Sequence, residues 1–215
     1  MVNAKINMIK QQLRPSGILD SSILSLFEQI SREAFTPEPF KAIAYADYMI
    51  PLSKDQVMLS PILEAKILDV LQIQHNEKVL EVGTGTGYLT TLLAKKAQHV
   101  YSVDYHDQYT KQIHENLSEL NITNVTLQLG NATHGWEKQQ PYNVIVITGS
   151  LDFLPQQFKQ QLTVGGRIFV VINNGPAMQA HLITRTSQQS WEDQILFETS
   201  LPPFAEALKK SKFVF

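Results

Sequence analysis

The 215 residues, of which 43% are hydrophobic, are enough for one substantial core. The formal net charge of -2 gives no general positive field, so neither nucleic acid nor a membrane surface is an expected partner. The chain contains no cysteine, which excludes disulfides, thiolate nucleophiles and cysteine zinc sites. It also lacks an apolar leader and any run of about 18 apolar residues, so we expect a cytoplasmic protein.

The N-terminal part, residues 3–60, has the pattern of a helical cover followed by an irregular region. Asp20 is a suitable N-cap for a helix with an apolar face. That face carries Ile23, Leu24, Leu26, Phe27 and Ile30. No regular structure is predicted over 42–60, where we expect substrate-facing loops. We therefore predict a cover with acceptor-site loops at 1–61 and a ligand-binding core at 62–215.

From residue 62 onward, helix-period stretches alternate with short apolar runs, which is typical of a parallel sheet with helices on both faces. The apolar runs lie at 78–82, 100–103, 125–129, 143–148 and 167–172. Helices are predicted over 86–97, 107–120 and 155–163. Two further strands, 179–187 and 191–199, flank a polar turn and should form an antiparallel hairpin. The pattern predicts an α/β fold with seven strands. Beyond it, Lys209, Lys210 and Lys212 are interpreted as a solvated tail rather than a docking patch.

The central motif begins at Val79, where an apolar strand passes into three alternate glycines, Gly83, Gly85 and Gly87, and then into a helix. Glycine tolerates a positive φ and lets a ligand approach its backbone closely. A ligand is therefore expected at the carboxyl end of this strand. A nicotinamide dinucleotide turn would need a glycine at the position of Tyr88, so that ligand class is not favoured.

The spacing Glu81-x-Gly83-x-Gly85-x-Gly87 matches the acidic turn of enzymes that bind S-adenosylmethionine. In those enzymes the methionine moiety lies against the glycine backbone, and the acidic residue holds its ammonium end, in part through water. The turn residues Thr84 and Tyr88 are included in the predicted cofactor site. Without a second element, a purely structural strand-to-helix connection remains the alternative.

Asp104 supplies the second element, since it closes the next strand 21 positions after Gly83. A carboxylate at this place can accept both ribose hydroxyls of a nucleoside. The loop after the third strand, Gly130-Asn131-Ala132, should lie near the adenine, and the Asn131 amide offers both a donor and an acceptor. Taken alone, Asn131 fits turn chemistry equally well. The six histidines show no metal-ligand spacing, so no metal site is predicted.

Motifs along nearly the whole chain resemble the protein-L-isoaspartate O-methyltransferase family. They are Gln12-Leu13-Arg14 with Gly17-Ile18, residues 31–37, Ala44-Tyr45-Ala46-Asp47, Ile50-Pro51-Leu52, the turn at 79–88, Gly135-Trp136, Pro141-Tyr142-Asn143, Leu154-Pro155, Gln161-Leu162 and Gly165-Gly166-Arg167. The resemblance implies a Rossmann-like, class I methyltransferase sheet with an N-terminal helical cover. It also implies methyl transfer from S-adenosylmethionine to the α-carboxylate of L-isoaspartyl residues, with S-adenosylhomocysteine as product.

The departures from the family pattern fall mainly in the acceptor half. Where the family has Gln-Thr-Ile-Ser-x-Pro near the reacting centre, this chain has Gln56-Val57-Met58-Leu59-Ser60-Pro61, so apolar side chains replace two hydroxyls. The Ser60 hydroxyl comes one residue later and would point elsewhere. Gly-Asp-Gly at the adenine loop becomes Gly130-Asn131-Ala132, and Pro-Val-Gly after the fifth strand becomes Val171-Ile172-Asn173. The cofactor half is retained and the isoaspartyl half is eroded.

The resemblance makes Gln56 and Ser60 candidate catalytic residues and places Tyr45, Asp47 and Leu59 at the acceptor site. An ionised carboxylate is already a nucleophile, so its methylation needs alignment rather than a general base. The first hypothesis is therefore an isoaspartyl methyltransferase acting on a peptide or protein, as a monomer or weak dimer. The second is a divergent methyltransferase with a different, small acceptor. The third is a non-catalytic protein that binds S-adenosylmethionine or S-adenosylhomocysteine.

Overall fold

The computed structural model describes residues 2–53 and 56–204, so the predicted tail with Lys209, Lys210 and Lys212 lies outside the described residues. The strands, numbered in chain order, are β1 Ile50–Ser53, β2 Gln56–Met58, β3 Lys78–Val82, β4 His99–Asp104, β5 Val125–Leu129, β6 Tyr142–Leu151, β7 Leu162–Ile172, β8 Gln179–Arg185 and β9 Trp191–Glu198. The α-helices are α1 Val2–Asn7, α2 Ser21–Gln29, α3 Pro61–Leu71, α4 Tyr88–Ala94, α5 Thr110–Glu119 and α6 Gln156–Gln160. A π-helical turn at Met8–Leu13 and two 3₁₀ helices at Arg32–Phe35 and Glu38–Ile43 complete the set.

The main sheet has seven strands in the order β5-β4-β3-β6-β7-β8-β9. Strands β3 to β7 pair in parallel, whereas β8 and β9 run antiparallel at one edge. The predicted α/β sheet with its reversed hairpin is therefore confirmed. The strand order reverses beside β3, which places the carboxyl ends of β3 and β6 next to a crevice suited to a ligand.

The predicted cap of the first long helix is also confirmed. The Asp20 carboxylate accepts a hydrogen bond from the backbone N–H of Ser22 at 2.7 Å, at the start of α2. The Ser22 side chain and the Ser22 backbone N–H together lower the pKa of Asp20 below its usual value. Side chains of α2 such as Ile23 and Phe27 are buried, as the apolar periodicity indicates. The cap fixes where the cover helix begins.

The prediction that residues 42–60 lack regular structure is wrong. Strands β1 and β2 form a separate two-stranded antiparallel sheet, with Ile50 opposite Met58. Both of these side chains are buried and anchor the hairpin on the core. Pro51 hid the strand from sequence reasoning, because proline cannot donate to a sheet ladder and is confined to edge positions such as this one.

Several predicted boundaries shift for identifiable reasons. Helix α4 begins at Tyr88, not at residue 86, because Gly87 has a left-handed backbone with φ of +81°. Helix α6 ends at Gln160, and β7 already starts at Leu162, ahead of the predicted 167. Gly165, with φ of +82°, lies inside this early part of β7, so a turn signal in the sequence was embedded in a strand.

The core lies on both faces of the main sheet. One cluster joins cover residues such as Met8 and Phe27 to Val79 of β3 and Leu92 of α4. The cluster on the other face includes Phe158 and alternate side chains of β6 and β7, such as Ile145 and Ile168. Because the cover shares a core with the rest, the division at residue 61 stays a prediction. Within the described residues, the longest apolar helices fall short of what a bilayer crossing requires.

The substitution Phe27→Ala should lower the free energy of unfolding by about 3 to 5 kcal/mol, because it removes a fully buried ring from the shared core. Chemical denaturation followed by circular dichroism measures the change. Phe153→Ala, at a ring that is 38% exposed, serves as the matched control and should have little effect. A loss of unfolding free energy for Phe27→Ala as small as that for Phe153→Ala would show that the cover does not stabilise the sheet.

Candidate functional site

The turn between β3 and α4 is built from glycines that no other residue replaces easily. Gly83 and Gly87 have φ values of +96° and +81°, which side chains with a Cβ rarely adopt. A Cβ on Gly83 would lie 2.1 Å from the Thr148 hydroxyl oxygen, and one on Gly87 would lie 2.8 Å from the Ile113 side chain. The backbone of the turn is therefore held tightly between β6 and α5, with its amides at the sheet's carboxyl edge.

A cavity of about 880 Å³, with its solvent-open space included, opens above this turn. The residues around it come from the glycine turn, from the β1–β2 hairpin, from the ends of β4, β5 and β6, and from the segment after β9. They are Leu52, Gln56, Val57, Met58, Leu59, Glu64, Glu81, Gly83, Thr84, Gly85, Thr86, Tyr88, Leu89, Asp104, Tyr105, Asn131, Thr133, Thr148, Gly149, Pro202, Pro203 and Phe204. Its size and mixed lining suit a nucleoside-sized ligand.

Glu81 is a buried carboxylate on the cavity wall. Its Oε2 accepts hydrogen bonds from the hydroxyls of Thr90 and Ser102, each at 2.5 Å. Its Oε1 has no partner among the described residues. Burial raises the pKa of Glu81 to about 8, although the two hydroxyl bonds act in the opposite direction. A buried oxygen with no partner is costly, so a cationic ligand group here would be strongly favoured.

Asp104 braces the glycine turn from the end of β4. One carboxylate oxygen accepts from the Gly85 backbone N–H and the other from the His106 N–H, both at 2.9 Å. Each carboxylate oxygen can accept a further bond, and the residue lines the cavity. The structure thus brings Glu81, Gly85 and Asp104 around one space, as the sequence analysis predicted, while their ligand contacts stay predictions.

The adenine-loop candidates occupy different places. Asn131 lines the cavity, but its side-chain oxygen also accepts from the Thr133 backbone N–H at 2.9 Å and from the Thr133 hydroxyl at 2.7 Å. It therefore has the turn chemistry that was the alternative interpretation. Ala132 is buried in the core beneath the loop. Tyr105, which sequence reasoning missed, lines the same region and is 50% exposed.

The acceptor segment, defined as residues 56–60, forms the opposite wall. Gln56 and Leu59 line the cavity. Ser60 precedes α3, is buried, and is not among the residues that surround the cavity. Its predicted catalytic role stays a prediction.

Tyr45 and Asp47 lie outside the cavity lining and take part in local structure. The Tyr45 hydroxyl lies 3.1 Å from that of Ser31, within the cover. The Asp47 carboxylate accepts from the Ile62 N–H at 3.2 Å and so caps the first turn of α3. Their predicted contact with a substrate stays a prediction.

Two parts of the wall had no clear sequence signal. Glu64, one turn into α3, faces the cavity although it is 1% exposed. Burial raises the pKa of Glu64 above its usual value, whereas the Arg32 guanidinium beside it acts in the opposite direction. The segment after β9 returns over β6, where the Ser150 N–H donates to the Pro202 carbonyl and the Phe204 N–H donates to the Ser150 carbonyl, both at 2.9 Å. This long-range pairing carries no local pattern.

Metal-ligand geometry is a separate question from cofactor geometry. Across the part of the chain that the structure describes, no three histidine, aspartate or glutamate side chains come together as a metal site. The cavity is lined by buried carboxylates, by backbone of the glycine turn and by an apolar wall.

Comparison with known proteins identifies relatives over nearly the whole chain. A family model described as protein-L-isoaspartate(D-aspartate) O-methyltransferase matches residues 3–206. Protein-L-isoaspartate O-methyltransferase 2 of Marinobacter nauticus is 33% identical over 186 residues, which are 86% of this chain and 85% of that protein. The corresponding enzyme of Aliivibrio fischeri is 31% identical over 195 residues, which are 91% and 93% of the two chains.

Solved structures agree with this relationship. A protein-L-isoaspartate O-methyltransferase structure superposes with a TM-score of 0.79 at 25% identity, covering 93% of this chain and 65% of that one. A β-aspartate methyltransferase from Plasmodium falciparum, in complex with S-adenosyl-L-homocysteine, gives a TM-score of 0.78 at 20% identity, with 92% and 96% covered. The predicted class I methyltransferase fold is confirmed. The chain belongs to the protein-L-isoaspartate(D-aspartate) O-methyltransferase family.

Proposed function

We propose that this chain transfers the methyl group of S-adenosylmethionine to the α-carboxylate of L-isoaspartyl residues in peptides or proteins. The supporting observation is that the triple-glycine turn and two carboxylates line one cavity in a chain of this family, and that one oxygen of the buried Glu81 carboxylate has no partner among the described residues. We further propose that it acts in the cytoplasm as a monomer or weak dimer.

The cofactor half of the cavity has groups suited to the ammonium, ribose and adenine parts of S-adenosylmethionine. The unpartnered Oε1 of Glu81 would meet the ammonium end of the methionine moiety. Asp104 would accept the ribose hydroxyls in addition to the Gly85 amide that it already holds. Tyr105 and Asn131 would flank the adenine. Bound there, S-adenosylmethionine supplies an electrophilic methyl group on a positively charged sulfur.

The acceptor half needs to orient a nucleophile rather than create one. In the transfer, a carboxylate oxygen forms the new C–O bond as the methyl carbon–sulfur bond breaks, and the bonding pair stays on sulfur. No proton moves, so a general base is unnecessary, and alignment can supply about 7 to 11 kcal/mol of the barrier reduction. Gln56 is the polar member of the acceptor segment that lines the cavity, and its amide can donate to the acceptor.

The activity test uses a synthetic peptide containing one L-isoaspartyl residue and S-adenosylmethionine labelled on its methyl group. We expect base-labile methyl ester at the isoaspartyl site and none on the same peptide with ordinary aspartate. Methylation of neither peptide, together with turnover on another acceptor in a cell extract, would contradict the isoaspartyl assignment. Cofactor binding without turnover on any extract would support a non-catalytic binding protein.

Asp104→Ala should weaken S-adenosylhomocysteine binding by about 1 to 3 kcal/mol, because charge-assisted hydrogen bonds to the ribose are lost. Isothermal calorimetry measures the affinity. Asp69→Ala, on α3 and away from the cavity, is the control and should bind normally. An unchanged affinity for the Asp104 variant would mean that the ribose lies elsewhere.

Binding of S-adenosylhomocysteine at pH 7 should release close to one proton from Glu81. With a pKa of about 8, the free carboxyl is mostly protonated at pH 7, and the ligand's ammonium favours its ionised form. Affinity should therefore rise by up to about tenfold per pH unit between pH 6 and 8, then level off. Calorimetry in buffers with different ionisation enthalpies counts the proton.

The matched variant for this experiment is Glu81→Gln, which has no proton to lose. It should bind more weakly, with no proton release and a flat pH dependence over the same range. Proton uptake by the unmodified protein, or the same release from the Gln variant, would show that Glu81 does not face the ammonium group.

A further inference from the structure

Arg32 connects the two halves of the proposed site although it lies outside the cavity wall. The residue opens the 3₁₀ helix Arg32–Phe35 of the N-terminal cover, and its side chain is 0% exposed. One guanidinium nitrogen donates to the Glu64 carboxylate, and the other donates to the backbone carbonyl of Leu59. Both of these partners belong to residues that line the cavity.

The same guanidinium also contacts the cofactor half. Its central carbon lies 5.1 Å from the centre of the Tyr88 ring. Tyr88 is the first residue of α4, directly after the glycine turn, and its ring is fixed by edge contacts with Phe27 and Phe35 at 6.2 and 5.3 Å. Arg32 thus touches the helix that begins at the cofactor turn and the segment that carries the acceptor wall.

Burial of a guanidinium is unfavourable, because moving the charge out of water costs a large desolvation free energy. Glu64 neutralises it, but a well-packed apolar pair would serve folding alone at least as well. The contact that sets this pair apart is the bond to the Leu59 carbonyl, because it ends in the acceptor segment on the cavity wall. Through this bond the acceptor segment is held by the same guanidinium that contacts the Tyr88 ring. The rigid planar fork of arginine keeps its two hydrogen-bond partners in one geometry.

We propose that Arg32 is a positioning residue for methyl transfer, holding the acceptor segment at a fixed distance from the cofactor turn through Leu59, Glu64 and Tyr88. The inference rests on the proposed function, in which the rate depends on aligning two bound reactants. Displacing one reactant by about 1 Å can lower such a rate about 100-fold. Arg32 therefore acts on kcat through the acceptor wall, without contact with either substrate.

The variant Arg32→Lys keeps the charge but loses the rigid planar fork, so it cannot hold both partners in the same fixed geometry. We expect kcat on the isoaspartyl peptide to fall about 10- to 100-fold, while the Kd for S-adenosylhomocysteine stays nearly unchanged. Backbone amides of the acceptor segment should exchange with deuterium faster, with unchanged exchange in β3 and β4. A charge-balanced double variant, Arg32→Gln with Glu64→Gln, guards against misfolding and should also lose kcat and segment protection.

Arg167 offers a matched control in the middle of β7, where it pairs with Val144 near the start of β6. Its guanidinium also bonds a carboxylate, that of Glu77, and the backbone carbonyls of Leu71 and Gln72. Arg167→Lys should lower Tm and leave kcat per folded molecule unchanged. Equal kcat losses in the two lysine variants, or unchanged exchange in the acceptor segment, would overturn the positioning role. An unmodified protein that fails on the peptide defeats the proposed function instead, and the exchange data still decide whether Arg32 holds the segment.

Discussion

The whole site depends on the backbone conformation of the glycine turn between β3 and α4. The chain must leave a buried parallel strand and enter a helix within a few residues, and it does so with left-handed backbone at Gly83, Gly85 and Gly87. Thr148 and Ile113 press on this turn from two sides, so the path admits little variation. The turn fixes where α4 starts, where Tyr88 lies and which backbone amides face the cavity. The Asp104 carboxylate is positioned by its bond to the Gly85 amide.

Polar groups beneath the turn are organised for a ligand rather than for stability. The Glu81 carboxylate is held by two hydroxyls on one oxygen, and its other oxygen is left without a partner in the described part of the chain. The Arg32–Glu64 pair is likewise buried where apolar side chains would pack well. Such costs are typical of sites that meet a charged ligand or hold reactants in a fixed geometry. The acceptor wall at Val57 and Leu59 is apolar, so the proposed methyl transfer depends mainly on the alignment of the two bound reactants.

Sequence reasoning predicted those parts of the molecule whose signal is local. The strand-to-glycine-to-helix pattern and the acidic end of β4 depend on neighbouring residues and on standard strand spacing, so Glu81, Gly85 and Asp104 could be placed together in advance. The β1–β2 hairpin was missed because Pro51 masks a strand that is held by contacts with the core. Glu64, Arg32 and Phe204 reach the site through contacts across more than 25 residues, which no local pattern encodes. Ser60 stands one position later than the serine of the family pattern, and it is not among the residues that surround the cavity.

We infer that the glycine turn and its two carboxylates bind the adenosyl part and the amino group that S-adenosylmethionine and S-adenosylhomocysteine share. A crystal structure of the protein grown with S-adenosylhomocysteine would show whether they do. We expect one molecule above the turn, with both ribose hydroxyls within hydrogen-bonding distance of Asp104, the amino group beside Glu81 and the sulfur facing the acceptor segment. Density for the compound at any other place, or none at saturating concentration, would contradict it.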